Sequence, residues 1–185
     1  MILLRHGQSY FNLHFTATRR DPGIVDPELT DLGHAQAEAA ALKLAGAGIT
    51  RIVVSPYTRA LQTAEPIHRR HPGAPVQVMH EVRERTAFVC DIGSHPEQLA
   101  VRFPHHEFGH LPPVWWHEGL EPKAAVIARA DAFRACMAEQ KDAATTLLVS
   151  HWAFILALTG VSVANGEMVD YDPRAAAPDE IVWRP

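Results

Sequence analysis

Short apolar segments alternate with longer segments of helical pattern along this chain of 185 residues. The segments that predict strands are 1–4, 51–54, 76–82 and 145–149, with two late candidates at 168–171 and 181–183. The segments that predict helices are 30–47, 58–70, 122–141 and 152–159. Strands that alternate with helices of this length form a largely parallel sheet with helices on its faces. The sequence therefore predicts an α/β fold with a mostly parallel central sheet.

Two stretches leave the pattern less defined. Pro66 falls in the second half of the predicted helix 58–70, where it removes a backbone hydrogen-bond donor. The sequence therefore leaves undecided whether the helix continues through that half. The segment from about 86 to 122 is rich in proline, histidine and tryptophan and shows the apolar periodicity of neither a helix nor a strand. Long segments of this type are often lids or binding loops. We expect a single domain over 1–185 with an irregular, lid-like insertion around 86–122.

Composition limits the partners. The chain is 47% hydrophobic and 21% charged, with a formal net charge of −4 and no long run of one sign. That balance is typical of a globular domain and offers no basic surface for nucleic acid. Two cysteines, no leader pattern and no apolar run of about 18 residues predict a cytoplasmic protein without a membrane partner. The oligomeric state stays open.

Three predicted strands end in polar or cationic groups. Residues 2–4 run into Arg5 and His6, residues 52–54 lead to Arg59, and residues 147–149 lead to His151. In a parallel sheet these ends share one edge, which is where open α/β sheets bind their ligands. Two arginines and two histidines at one point predict an anion site, because the guanidinium fork suits phosphate oxygens. Since no carboxylate follows these strands, we expect the charge to stay available for a ligand.

Of these four groups, His6 is the candidate nucleophile. A histidine must be unprotonated to attack, and flanking arginines favour the neutral ring by charge repulsion. Attack on a phosphoryl group would give a phosphohistidine, with Arg5, Arg59 and His151 binding the oxygens as charge shifts during transfer.

The leaving alkoxide needs a proton. Glu84 follows the third predicted strand and supplies a carboxyl group at the same edge of the sheet. Its pKa should rise beside a dianionic phosphoryl group, which suits a general acid. Glu81 lies three residues earlier and is the competing choice, directed to a different side of a strand.

These motifs together resemble the histidine phosphatase superfamily, in its phosphoglycerate-mutase-like branch. The resemblance runs in order from residue 3 to about residue 155. It is carried by Arg5-His6-Gly7, Asn12, Leu29-Thr30, Gly33, Gln36-Ala37, Ser55-Pro56, Arg59-Ala60, Gln62-Thr63-Ala64 and Ser150-His151. It implies a three-layer α/β/α sandwich and a phosphohistidine mechanism that needs neither metal nor cofactor.

Matched position by position, the resemblance makes His6 the nucleophile and Glu84 the acid. It makes Arg5, Arg59 and His151 the phosphate pocket. Further contacts to phosphate or substrate are expected from Gln8, Asn12, Ser150 and Trp152. Two features depart from the family: Trp152 stands where a glycine is common, and the segment after Glu84 lacks the usual glycine-tryptophan pattern.

We therefore predict a phosphomonoester phosphatase that acts on a small phosphorylated substrate. One alternative is a mutase, in which a substrate hydroxyl accepts the phosphoryl group; we rank it lower because Arg102 is the only arginine or lysine between residues 86 and 122. A catalytically idle phospho-ligand binder is the other alternative. His105, His106 and His110 match no firm metal-ligand spacing and are expected in a surface loop.

Overall fold

The computed structural model describes residues 1–183 and contains a five-stranded sheet. The strands are β1 Ile2–Arg5, β2 Arg51–Val54, β3 Val76–Val78, β4 Thr146–Ser150 and β5 Met168–Asp170. Their spatial order is β3-β2-β4-β1-β5. The first four strands are parallel, and β5 runs antiparallel beside β1. The mostly parallel sheet is thus confirmed.

The helices that accompany the sheet are α1 Tyr10–Thr18, α2 Asp31–Leu44, α3 Thr58–Arg70, α4 Pro96–Arg102, α5 Lys123–Ala138 and α6 Trp152–Thr159. Helix α2 begins at Thr30, whose hydroxyl accepts a hydrogen bond from the Gly33 amide. Helix α3 continues through Pro66, which is buried within it. Among residues 1–183, no helix is long and apolar enough to cross a membrane.

Alternation along the strands separates two apolar layers. Leu4 and Val54 face a cluster that includes residues of α2 and α3. Leu3 and Val53, one position earlier, face a second cluster that includes residues of α5 and α6. Because successive strand residues point to opposite faces, the sheet is covered on both sides. This arrangement is the expected three-layer α/β/α sandwich.

Several predicted elements differ in the structure. Strand β3 ends at Val78, and a short 3₁₀ turn at His80–Val82 replaces the last residues of the predicted strand 76–82. Residues 181–183 do not form a strand; the Trp183 ring instead lies 6.4 Å from that of Trp152. The segment 86–122 is largely irregular but contains α4 and a 3₁₀ turn at Val89–Asp91. Helix α1, which the sequence pattern did not predict, is capped by the reciprocal Ser9 and Asn12 pair.

Candidate active site

The strand register places three of the predicted strand ends side by side. Arg5 at the end of β1 is paired with Ser150 at the end of β4, and Val54 at the end of β2 is paired with Val149. The backbone amide of His6 donates to the Ser150 carbonyl at 3.0 Å. The sheet order β2-β4-β1 therefore brings together side chains that are about 150 residues apart in the sequence.

His6 is buried, and its protonation state follows from its contacts. Its Nδ1 lies 2.7 Å from the Gly7 carbonyl oxygen, which can only accept, so Nδ1 carries the proton and Nε2 keeps its lone pair. Burial lowers the pKa of His6 well below its usual value, and the charges of Arg59 and Arg5 lower it further. The ring is thus a neutral imidazole whose Nε2 has no hydrogen-bond partner in the described part of the chain.

His151 is the second buried ring, with its centroid 5.0 Å from that of His6. Its Nε2 lies 2.7 Å from the Ser55 hydroxyl, whereas its buried Nδ1 has no partner among the described residues. Burial lowers the pKa of His151 well below its usual value, with further contributions from Arg59 and His6. An unpaired buried nitrogen is costly, so a ligand that bonds to it gains stability.

The two arginines are held by different parts of the chain. Arg5 donates from Nη1 to the Val163 carbonyl at 2.7 Å, and its buried Nε has no partner in residues 1–183. Arg59 donates from Nη1 to the Cys90 carbonyl at 2.9 Å, and its guanidinium carbon lies 4.3 Å from the centre of the Tyr57 ring. Both guanidinium groups are thereby fixed in orientation.

Asp91 forms a buried ion pair with Arg59 that the sequence did not predict. Its Oδ1 lies 3.2 Å from Nη2 of Arg59, and both side chains are 3% exposed. Its Oδ2 accepts hydrogen bonds from the amides of Ala87 and Phe88, which fixes the turn that presents it. The expectation that no carboxylate would neutralise the site is therefore wrong for Arg59, because the irregular segment after Glu84 supplies one.

Glu84, the predicted general acid, lies between the Arg85 amide and the start of α6. One of its oxygens accepts from the Arg85 amide at 2.8 Å and from the Ala153 amide at 3.0 Å, in the first turn of α6. Burial raises the pKa of Glu84 to about 7, and the nearby Asp91 charge adds to the rise. Glu81, the competing choice, is 49% exposed, and its Oε1 lies 3.4 Å from Nε2 of His80. It does not line the cavity above His6.

A cavity of about 730 Å³ opens over these groups. Its lining includes the catalytic candidates Arg5, His6, Arg59 and Glu84, and two of the predicted contacts, Asn12 and Trp152. The remaining catalytic candidate, His151, is fully buried behind His6 and does not line the cavity. Two other predicted contacts do not line it. The Gln8 side chain accepts a hydrogen bond from the Thr30 hydroxyl at 2.9 Å, and the Ser150 hydroxyl donates to the Val82 carbonyl at 2.6 Å. Both side chains stabilise the framework of the site instead.

Three framework residues had no role predicted from the sequence, although Ser55 and Thr63 belong to the motifs of the resemblance. Ser55 bonds to His151, and Thr63 accepts from the Gly7 amide at 3.1 Å while donating to the Arg59 carbonyl. Asn165 donates from Nδ2 to the His6 carbonyl at 3.1 Å. Ser55 directly follows a strand and Thr63 lies one helical turn after Arg59, so position alone could have suggested both. Asn165 lies in a loop with no such signal.

The histidines of segment 86–122 are dispersed. His106 lies 2.8 Å from Glu65 and is buried, so the expectation of a surface loop fails for this residue. His110 bonds through Nε2 to the Val78 carbonyl, and His105 is exposed. Over residues 1–183, no group of three His, Cys, Asp or Glu side chains is arranged to hold a metal ion.

Comparison with known proteins agrees with this geometry. A family model described as histidine phosphatase superfamily (branch 1) matches residues 1–169. Among solved structures, a mycobacterial glucosyl-3-phosphoglycerate phosphatase in complex with VO3 superposes with a TM-score of 0.63 at 25% identity, over 91% of this chain and 88% of that one.

Curated sequences match over shorter stretches. A glucosyl-3-phosphoglycerate phosphatase from Mycolicibacterium vanbaalenii is 42% identical over 84 residues, which are 45% of this chain and 35% of that protein. A 2,3-bisphosphoglycerate-dependent phosphoglycerate mutase from Bartonella tribocorum is 45% identical over 65 residues, which are 35% of this chain and 29% of that protein. The matches thus span about a third of the length of these relatives.

Proposed function

Because this chain belongs to the histidine phosphatase superfamily, branch 1, we propose that it hydrolyses phosphomonoesters through a phosphohistidine on His6. The observation that carries the proposal is a buried neutral imidazole that feels the charges of two guanidinium groups. Its Nδ1 proton is bound to the Gly7 carbonyl, and its Nε2 has no hydrogen-bond partner among the described residues. A cationic pocket attracts a phosphate dianion, while the same cations keep the nucleophile unprotonated.

In the first half of the reaction, Nε2 of His6 attacks phosphorus. The P–Nε2 bond forms as the P–O bond to the leaving group breaks, and the alkoxide takes the proton of Glu84. With a pKa of about 7, Glu84 carries that proton in a large fraction of molecules at neutral pH. Arg5 and Arg59, which line the cavity, bind the phosphoryl oxygens during transfer. His151 joins them through Nδ1, which has no hydrogen-bond partner within residues 1–183.

In the second half, water cleaves the phosphohistidine. Glu84 is now a carboxylate and takes a proton from the attacking water. The P–O bond to water forms as the P–Nε2 bond breaks, which releases inorganic phosphate and restores the neutral His6 and the protonated Glu84. No metal ion or cofactor is required to balance either half.

A mutase on the same chemistry is the second candidate, favoured by the match to a phosphoglycerate mutase over 65 residues. In a mutase, a substrate hydroxyl replaces the water and a second anionic group is usually bound. We rank it below the phosphatase because the mutase match covers 35% of this chain, whereas the glucosyl-3-phosphoglycerate phosphatase structure superposes over 91% of it. Arg102 pairs with Glu28 and does not line the cavity, but Arg19, Arg85 and Lys123 do, so the cations of the cavity do not separate the two candidates.

Substitution of the nucleophile tests the proposal. The wild-type chain should hydrolyse p-nitrophenyl phosphate in the presence of EDTA and incorporate an acid-labile label from a ³²P-phosphomonoester. His6→Ala should remove the labelling and lower turnover by a factor on the order of 10⁴ or more. His105→Ala changes an exposed histidine away from the cavity and should match wild type.

Three results would contradict the proposal or select an alternative. Hydrolysis by His6→Ala at the wild-type rate would reject the nucleophile. Labelling of the wild type without release of phosphate to water, but with transfer to an added alcohol, would favour the mutase. Absence of both labelling and turnover would favour an idle binding protein.

A further inference from the structure

The outer part of the active-site cavity has aromatic walls. Phe11, Phe15 and Phe88 form a cluster in which each pair of ring centroids lies 5.0–5.2 Å apart. Phe11 and Phe15 come from α1, and Phe88 comes from the turn that presents Asp91. All three line the cavity that contains His6, and Phe88 is 39% exposed.

A second pair of rings borders the same cavity. Trp152, at the first position of α6, and Trp183 lie edge to face with centroids 6.4 Å apart. The Trp152 indole nitrogen donates to the Ser162 hydroxyl at 2.9 Å, which fixes the ring. The departure from the family at position 152 therefore adds apolar wall to the cavity.

Most uncharged polar side chains of the outer cavity already have partners within the protein; Thr16 is exposed on α1. The Ser9 hydroxyl and the Asn12 carbonyl oxygen bond to each other at 2.9 Å, and Asn165 donates to that oxygen at 3.2 Å. Ser162 accepts from Trp152, and Glu167 accepts from the Ala164 amide at 2.6 Å. A ligand rich in hydroxyl groups would have to displace these bonds, whereas an apolar ligand would leave them intact.

Two cations of the cavity lie against the aromatic rings. The guanidinium carbon of Arg19 is 5.8 Å from the centre of the Phe15 ring, and Nζ of Lys123 is 5.7 Å from that of Trp183. Long basic side chains that lie over rings place their aliphatic stems along apolar surface. They therefore place positive charge, as well as aliphatic stem, beside the aromatic walls.

We propose that the outer cavity selects phosphomonoesters whose alcohol is aromatic or bulky and apolar, such as arylalkyl phosphates. This substrate class rests on the proposed phosphatase function and specifies it. The phosphoryl group binds at Arg5, His6 and Arg59, and the ring of the leaving alcohol packs against the phenylalanine cluster and Trp152. Burying a phenyl group there removes apolar surface from water and adds ring-ring contacts, which together raise kcat/KM.

A matched set of esters tests the selection. The values of kcat/KM are compared for 2-phenylethyl, butyl and glycerol 3-phosphate, whose alcohols have similar acidity, so that differences report contacts in the outer cavity. We expect 2-phenylethyl phosphate to exceed glycerol 3-phosphate by about tenfold or more, with butyl phosphate between them.

Substitutions in the phenylalanine cluster test whether the preference for the aromatic ester comes from the outer cavity. Phe88→Ala and, separately, Phe15→Ala should lower the ratio of kcat/KM for 2-phenylethyl phosphate to that for glycerol 3-phosphate about three- to tenfold. Leu13→Ala is the control, because Leu13 is exposed on the same helix and does not line the cavity. Inhibition by inorganic phosphate, which fills only the phosphoryl site, should be equal in all of these proteins.

The outcomes separate the two proposals. If glycerol 3-phosphate is hydrolysed as well as the aromatic ester, and neither phenylalanine variant changes the ratio, the aromatic selection is overturned while the phosphatase function stands. If no ester is hydrolysed, the phosphatase function fails and the substrate class fails with it.

Discussion

His6 stays neutral because burial and two guanidinium groups both oppose its protonation. The same cations, Arg5 and Arg59, pull the pKa of Glu84 downward, yet burial and the Asp91 charge outweigh them and raise it to about 7. Asp91 thus affects both groups, since it also pairs with Arg59. At the residue scale, an unprotonated imidazole and a protonated carboxyl group coexist in the site below about pH 7.

The pH dependence of the first half-reaction follows from Glu84. Its raised pKa means that it is protonated below about pH 7 and loses the donated proton above it. We expect kcat/KM for an alkyl phosphate to fall as pH rises through about 7. In Glu84→Gln, kcat/KM for that ester should drop about 10²- to 10⁴-fold and lose this fall.

Two comparisons sharpen that measurement. Formation of the phosphoenzyme from p-nitrophenyl phosphate should change little in Glu84→Gln, because nitrophenolate leaves without a proton. Glu81→Gln removes the half-exposed neighbouring carboxylate and should keep the wild-type pH profile. An unchanged pH profile in Glu84→Gln, or a changed one in Glu81→Gln, would show that Glu84 is not the acid.

The start of α2 holds the loop that carries His6. A Cβ added at Gly33 would lie 2.1 Å from the Gln8 carbonyl oxygen, and one added at Gly7 would lie 2.4 Å from the Gly33 carbonyl oxygen. The Thr30 amide donates to the same Gln8 carbonyl at 2.9 Å. At the scale of elements, the helix and the loop after β1 pack backbone against backbone, which is possible only where both residues lack a side chain.

Gly33→Ala tests this packing. Alanine favours a helix over glycine, yet here the added methyl group must push the loop away, so we expect a loss of about 1–3 kcal/mol in the free energy of unfolding. Turnover should fall with it, because His6 moves relative to Arg59. Urea denaturation and steady-state kinetics on the same preparation measure both effects.

Gly46→Ala is the matched control. Gly46 follows the end of α2 and has no atom within 4 Å of an added Cβ. This variant should keep wild-type turnover and equal or exceed wild-type stability. A Gly33→Ala protein as stable and active as Gly46→Ala would show that the close approach is not required.

At the scale of the whole molecule, a buried ion cluster links the acid-bearing segment to α5. Glu121 is 1% exposed and pairs with Arg83 at 3.1 Å and with Arg129 at 2.9 Å. Its carbonyl also accepts from Arg85 at 2.8 Å. Glu84 therefore lies between two arginines that Glu121 holds, and the cluster joins its turn to the helical layer.

Glu121→Gln should be strongly destabilising. It leaves two guanidinium groups, 11% and 13% exposed, without their buried carboxylate, and breaking a buried pair from one side costs about 3–5 kcal/mol. Glu38→Gln removes the carboxylate of an exposed cluster with Arg69 and Arg70 and should cost about 1 kcal/mol or less. Equal midpoints of chemical denaturation for the two variants would contradict this account.

Local pattern predicted the elements well where the residues pack regularly. The bounds of β2, α3 and α6 match the prediction because apolar periodicity and turn residues lie within the elements themselves. The prediction failed at residues 79–82 and 181–183, where short apolar runs carry no period long enough to distinguish a strand from a turn or an irregular end. Helix α1 has only Phe11 buried and so lacked a signal.

The sequence by itself determined which residues stand at the strand ends, including Arg5, His6 and His151, because strand, turn and helix signals act over a few neighbouring positions. Only the tertiary structure decided that β4 lies between β1 and β2, that Asp91 binds Arg59, and that the Gln8 and Ser150 side chains turn into the framework. Those outcomes depend on contacts between distant segments and on the dihedral angles of irregular backbone, which no local period encodes.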